Sequence, residues 1–205
     1  EAVSGMERAY QKYLDQDLDY FKISRPFAEG LYEFISSFKK EAPAAKFVKG
    51  HIAGPVSFAL SVTDENKKSL IYDKDMFDVV TKVLAMKARW QIRELRKLSK
   101  DVIIFIDEPY LVSIGSSYVN IPAGDVVRSL DEIICAIREE GALSGVHCCG
   151  NTDWPLLLKR GVDILNFDAY NFMKEFFLYS EDISNFIKRG SAIAWGIVPS
   201  SSAAD

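Results

Sequence analysis

Apolar and polar positions follow two alternating patterns along this chain. Five short runs are almost continuously apolar, rich in branched residues and closed by polar or small ones. They are "KFVKGHIAGPV" (Lys46–Val56), "DVIIFIDEPYL" (Asp101–Leu111), "LSGVHCCGN" (Leu143–Asn151), "VDILNFDAY" (Val162–Tyr170) and "AIAWGIVPS" (Ala192–Ser200). Runs of this kind predict strands of a parallel sheet, buried on both faces. Between them the apolar positions recur at helical spacing. Met76, Val79, Val80, Val83, Met86 and Trp90 mark one helical face, with Asp73 or Asp75 as its cap. Val126, Leu130, Ile133 and Ile137 mark a second, stopped by Gly141, and Cys135 within it is expected to pack in the interior. "DWPLLLKRG" reads as a short helix with Pro155 in its first turn, and a further helical segment or pair ends at Gly190. Two helical stretches, Met6–Phe21 and Pro26–Lys40, precede the first strand.

Strand and helix therefore alternate, which predicts parallel βαβ units and an α/β fold. A doubly wound sheet and a barrel both remain open on this pattern. No G-x-G-x-x-G or Walker loop follows a strand, which weakens the nucleotide-binding option. Polar residues with chemical potential sit instead at the C-terminal ends of several strands, where a (β/α)8 TIM barrel places its site. Such a barrel takes about 250 residues, so five strands in a 205-residue chain make an incomplete one. The expected organisation is a single partial barrel domain over residues 1–205, with a helical lead-in over 1–45 and βα units over 46–205. The chain begins at Glu1 without a methionine and stops at "PSSSAAD" with no obvious terminal helix, which predicts a fragment of a longer protein.

Composition narrows the class. With 48% apolar residues and a net charge of −4, the chain reads as one globular domain with no basic surface for nucleic acid or anionic membrane. No apolar run approaches the roughly 20 residues that span a bilayer. Three cysteines, two of them adjacent, make a poor disulfide framework, and a cytoplasmic location is expected.

The candidate chemistry lies at strand ends. His147 and Cys149 are two positions apart, so on a strand both face one side while Cys148 faces the other. An imidazole and a thiolate on one side are half of a tetrahedral zinc site, and Asp168 at the end of the next strand is a candidate oxygen ligand. Ordinary packing of buried cysteines is the competing explanation. In "FIDEP", neighbours on a strand diverge, so at most one of Asp107 and Glu108 points into the mouth. Asp107 is the choice, as a partner for a substrate ammonium. A strand-end carboxylate paired with a lysine or capping a helix explains the stretch equally well. Gly54–Pro55 reads as a tight turn, and Ser57 as a helix cap or a weak ligand contact. His51 is either a satisfied structural histidine or a pocket contact.

Taken in order, "AGPVSF", "IFIDEP", "VHCCGN", "VDILNFDA" and "AIAWGIVPSS" resemble successive strand ends of the catalytic barrel of cobalamin-independent methionine synthase. The wider superfamily includes uroporphyrinogen decarboxylase and zinc-dependent methylcobalamin:coenzyme M methyltransferases. The resemblance runs from about Lys46 onward, over strands like the third to seventh of the barrel. It implies a zinc ion that holds a thiol substrate as thiolate for methylation, with His147, Cys149 and Asp168 as ligands. Asp168 stands where the synthase usually has glutamate, at a slightly shorter spacing. It also implies that Asp107 binds the amino group of homocysteine. The family's last cysteine ligand, on the eighth strand, and its Ile-Gly-Ser-type substrate loop, on the first, have no counterpart in these residues.

The leading expectation is a zinc-dependent methyltransferase of methionine biosynthesis acting on a small thiol, homocysteine first, with a folate or methyl-corrinoid as donor. The alternatives are a coenzyme M-type methyltransferase, a metal-independent decarboxylase-like lyase, and a non-catalytic barrel that binds a corrinoid or a partner. The lyase would need arginines at strand ends, whereas Arg89, Arg93, Arg96, Arg128 and Arg138 fall on predicted helices.

Overall fold

The structure is a computed structural model that describes residues 2–41, 45–117 and 119–199. The expectations for the first residue and for the tail from Ser200 lie outside these. In chain order the elements are α1 (Ala2–Leu14), α2 (Glu29–Glu41), β1 (Phe47–Ala53), α3 (Pro55–Ser61), α4 (Lys74–Leu95), β2 (Asp101–Asp107) and α5 (Ala123–Glu139). They continue with β3 (Leu143–Cys148), α6 (Trp154–Leu158), β4 (Ile164–Phe167), α7 (Ala169–Phe177), α8 (Ser180–Lys188) and β5 (Ala192–Trp195).

Among the described residues the strands form one sheet, every pair parallel, in the order β1-β2-β3-β4-β5. Spatial order equals chain order. A doubly wound sheet reverses direction at a switch point, and the described strands contain none. Each crossover adds its strand on the same side, the winding of a βα barrel, and the sheet is compatible with a partial one.

This winding puts the helices on one face. Val48, Ile52, Val102, Ile104, Ile106, Val146, Leu165 and Phe167 point into a core shared with α4, α5, α6, α7 and α8. Its C-terminal part is aromatic: Phe167 stacks on Phe176 at 4.2 Å, and Trp154 meets both edge-on at 5.3 Å. The opposite face is open, which corrects the expectation of strands buried on both sides. In β1 exposed and buried residues alternate strictly. Five strands wound this way do not close on themselves, so the inner residues stay reachable.

Local signals explain most element ends. Asp73, not Asp75, caps α4, accepting from the backbone of Asp75 and Met76 at 3.1 Å. Gly141 and Gly190, at φ 68° and 93°, end α5 and α8. The lead-in differs from expectation. The first helix stops at Leu14 because Gln16 adopts φ 55°, and Leu18 and Phe21 beyond it pack on Met86 of α4. Pro26 opens a single 3-10 turn, and α2 begins at Glu29. Cys135 is exposed, not interior. It lies two residues past Ile133, about 200° round the helix from the buried stripe of Val126, Leu130, Ile133 and Ile137. No helix of the described residues is long and apolar enough to cross a membrane.

Candidate functional site

Register brings one residue of each strand into a single row across the open face. Ala53 pairs with Asp107, Asp107 with His147, His147 with Asn166, and Asn166 with Ala194. Partners in register share a face, so these side chains form a rim at the C-terminal ends of the strands. Beneath it lies a pocket of about 440 Å³ lined by Lys49, Phe105, Asp107, His147, Asn166 and Ala194.

The protonation of His147 follows from a chain of bonds. Asn166 Nδ2 donates to the Ala194 carbonyl at 2.8 Å, and that acceptor fixes which end of the amide is nitrogen. Asn166 Oδ1 therefore faces His147 Nδ1, at 2.6 Å. An oxygen acceptor there requires the imidazole to carry its proton on Nδ1, which leaves the Nε2 lone pair free. This is the arrangement of a ligating histidine supported from behind. Asn166 is thus the partner of His147, a residue that strand patterning passed over.

The two cysteines separate as alternation predicts. Cys148 is buried toward the helices, its Sγ 3.5 Å from the Gly150 carbonyl, and burial pushes its thiol up to about 11. It stays protonated and inert at neutral pH. Cys149 is exposed, one residue past β3. Asp168 is engaged elsewhere, capping α7 by accepting from Asn171 N at 3.1 Å and Asn171 Nδ2 at 2.5 Å. Among the described residues no three of His, Cys, Asp and Glu come together to hold a metal. His147 and Cys149 suit zinc in kind, but they are two donors, and Asp168 as it lies does not join them.

The "DEP" carboxylates diverge. Asp107 lines the pocket, whereas Glu108 is fully buried. Glu108 accepts from Val56 N at 2.9 Å, from Ser57 N at 2.8 Å and from the Ser57 hydroxyl at 2.6 Å. The Ser57 hydroxyl in turn accepts from Tyr110 N at 3.1 Å. Burial pushes the Glu108 carboxyl up to about 7 against the pull of those donors, and the nearby Asp107 charge adds to the rise. Gly54 runs so close that a Cβ would collide with this carboxylate. Ser57 therefore belongs to a clamp between two strand-end segments and does not line the pocket. His51 is exposed beside a separate, largely apolar cavity between β1, α2 and α4, and its carbonyl accepts from Gln91 Nε2 at 3.2 Å.

The place of Asp107 in the pocket follows from alternation alone, whereas Cys149 lies past the strand and is not among the residues that line it. Asn166 shares the parity of Asp168, but its place beside His147 depends on register. The Glu108–Ser57 clamp joins residues 51 apart and has no local signal beyond the carboxylate itself. No family model, no curated protein and no solved structure matches the chain.

Proposed function

We propose that this chain is part of a (β/α)8 barrel that transfers a methyl group to a small thiol held on zinc at the strand-end rim. The observation that carries the reading is the Asn166–His147 pair, which leaves one imidazole nitrogen free at the rim pocket, two residues before the exposed Cys149. Zinc, when bound, holds a coordinating thiol as thiolate near pH 7, where a free thiol is mostly protonated. The chain's own residues supply the rest. Asn166 keeps the imidazole in one tautomer and one orientation. Asp107 sits one strand away on the same row, with a carboxylate for a substrate ammonium. The clamp of Glu108 on Ser57 holds the segment after β1 beside that rim.

The arginines weigh against the lyase alternative. Arg89 and Arg93 hold the Glu140 carboxylate at 2.9 Å, Arg96 reaches the Glu140 carbonyl, Arg128 pairs with Asp125, and Arg138 with the Gly161 carbonyl. All five are engaged away from the rim pocket.

The test is metal uptake. In the full-length protein that supplies the remaining barrel strands, zinc reconstitution should leave about one ion per chain after desalting, and His147→Ala should abolish that retention. Asn166→Leu should weaken zinc about 10- to 100-fold in competition with a chromophoric chelator. A folded full-length protein with no affinity for zinc overturns the reading.

A further inference from the structure

Among the described residues the sheet ends at β1. Away from the rim, a cavity of about 920 Å³ touches this strand continuously from Lys49 to Ala53. Lys49, His51 and Ala53 are on its open face and Gly50 and Ile52 on its helix face, so the cavity runs along the edge between the two. At roughly 3.3 Å per residue it follows β1 for about 13 Å. Leu31 and Phe34 of α2, with Val80 and Leu84 of α4, wall it on the helix side. Backbone direction agrees with this placement. Gly54 N–H donates to the Asp107 carbonyl at 2.8 Å, which turns the even-numbered residues of β1 toward β2. The odd-numbered residues then direct their N–H and C=O groups to the edge, and the His51 carbonyl is met there by α4 instead of β2.

Two side chains of α4 in this groove lack a partner. Gln91 is 5% exposed, and its Nε2 donates to the His51 carbonyl at 3.2 Å. Its Oε1 is buried and accepts no hydrogen bond among the described residues. A buried acceptor left unanswered is destabilising, and a backbone N–H arriving along the edge would answer it. Lys87 is half-buried, and its Nζ donates to the Phe21 carbonyl at 3.3 Å. Burial holds its ammonium below the usual lysine range. With Lys49 and His51 it makes the cavity cationic, and no Asp or Glu among the described residues lines it.

We propose that the free edge of β1 seats one more parallel strand, from polypeptide outside residues 1–205, and that this strand brings an acidic side chain to Lys87. The unpaired backbone edge calls for a chain as occupant, and the acid-free lysines call for a carboxylate on it. The strand's other helix-facing residues are apolar, against Leu31, Phe34, Val80 and Leu84. The inference rests on the barrel part of the proposed function and on none of its zinc chemistry.

The test is amide hydrogen exchange and side-chain titration by nuclear magnetic resonance on the full-length protein without zinc. The Lys49, His51 and Ala53 amides should be protected at least about 100-fold over an unstructured chain, equally at low and high protein concentration. The Ile52 amide, directed at β2, is the internal control. The Lys87 ε-carbon should titrate at or above the usual lysine range, because a facing carboxylate favours the ammonium. Edge amides that exchange as in an unstructured chain overturn the added strand. Protection that grows with concentration also overturns it, in favour of a second copy at this edge. A Lys87 that still titrates below the usual range overturns the acidic contact. Protected edge amides in a protein that takes up no zinc support the added strand while they sink the metal reading.

Discussion

The two faces of the sheet are built from the same strands by different rules. On the helix side Val48, Ile52, Ile104, Ile106, Val146 and Leu165 are all at most 5% exposed, so a change there is felt as lost packing. On the open side the alternating positions of those strands hold Lys49, His51, Asp107, His147 and Asn166, polar groups spaced by register and only partly covered. Neighbours in sequence therefore answer to different constraints. Cys148 and Cys149 show it, as do Asp107 and Glu108: Cys148 and Glu108 are sealed in, whereas Cys149 is exposed and Asp107 lines the pocket.

That contrast can be broken most sharply at Phe167. Phe167→Ala removes the centre of the Trp154–Phe176 cluster and should cost about 4 kcal/mol in urea unfolding, whereas Asn166→Ala, one residue earlier, should cost under about 1 kcal/mol. Equal losses would end the distinction between the faces. The next largest effect concerns Glu108. Its carboxyl is raised from 4.5 to about 7 in the folded chain, so between those values the folded state holds a proton that the unfolded state has lost. The stabilisation is complete below about pH 4.5 and is lost as pH rises through 7, a change of roughly 3 kcal/mol. Glu108→Gln should remove this slope from unfolding curves measured at pH 5 and pH 8. A slope that survives the substitution places the pH dependence elsewhere.

Smaller effects sharpen the picture at the rim. Asn166→Ala frees the His147 tautomer, and the ring nitrogen resonances should move from a pure Nδ1–H pattern toward a mixture. An unchanged pattern would mean that Asn166 does not set the proton. Least of all, Cys135→Ser should change stability by no more than about 0.5 kcal/mol. An alkylating reagent should label Cys135 and Cys149 in the native chain and reach Cys148 only on unfolding; rapid native labelling of Cys148 would contradict its burial.

Much of the architecture was legible in the chain because alternation and helical spacing are local. The five strands, the cap at Asp73 and the opposed directions of His147 and Cys148 follow from positions a few residues apart. The end of α1 was not, since Leu18 and Phe21 continue an apolar pattern while Gln16 turns the backbone left-handed. Asp168 looked like a ligand because it ends a strand, but a strand-end aspartate before a helix is equally a cap, and α7 uses it as one. Lys49 and Asn166 entered the pocket through register between strands, which no single segment encodes.

The bond from the Ser57 hydroxyl to Glu108, together with the one it accepts from Tyr110, bears on how such a scaffold could be re-engineered. Rim segments of βα folds are often treated as interchangeable modules. Here the turn after β1 and the turn after β2 share a buried carboxylate, a hydroxyl and a glycine cut to fit them. Grafting either turn alone would leave the buried carboxyl or its donors without partners, so the two must be transplanted as one unit.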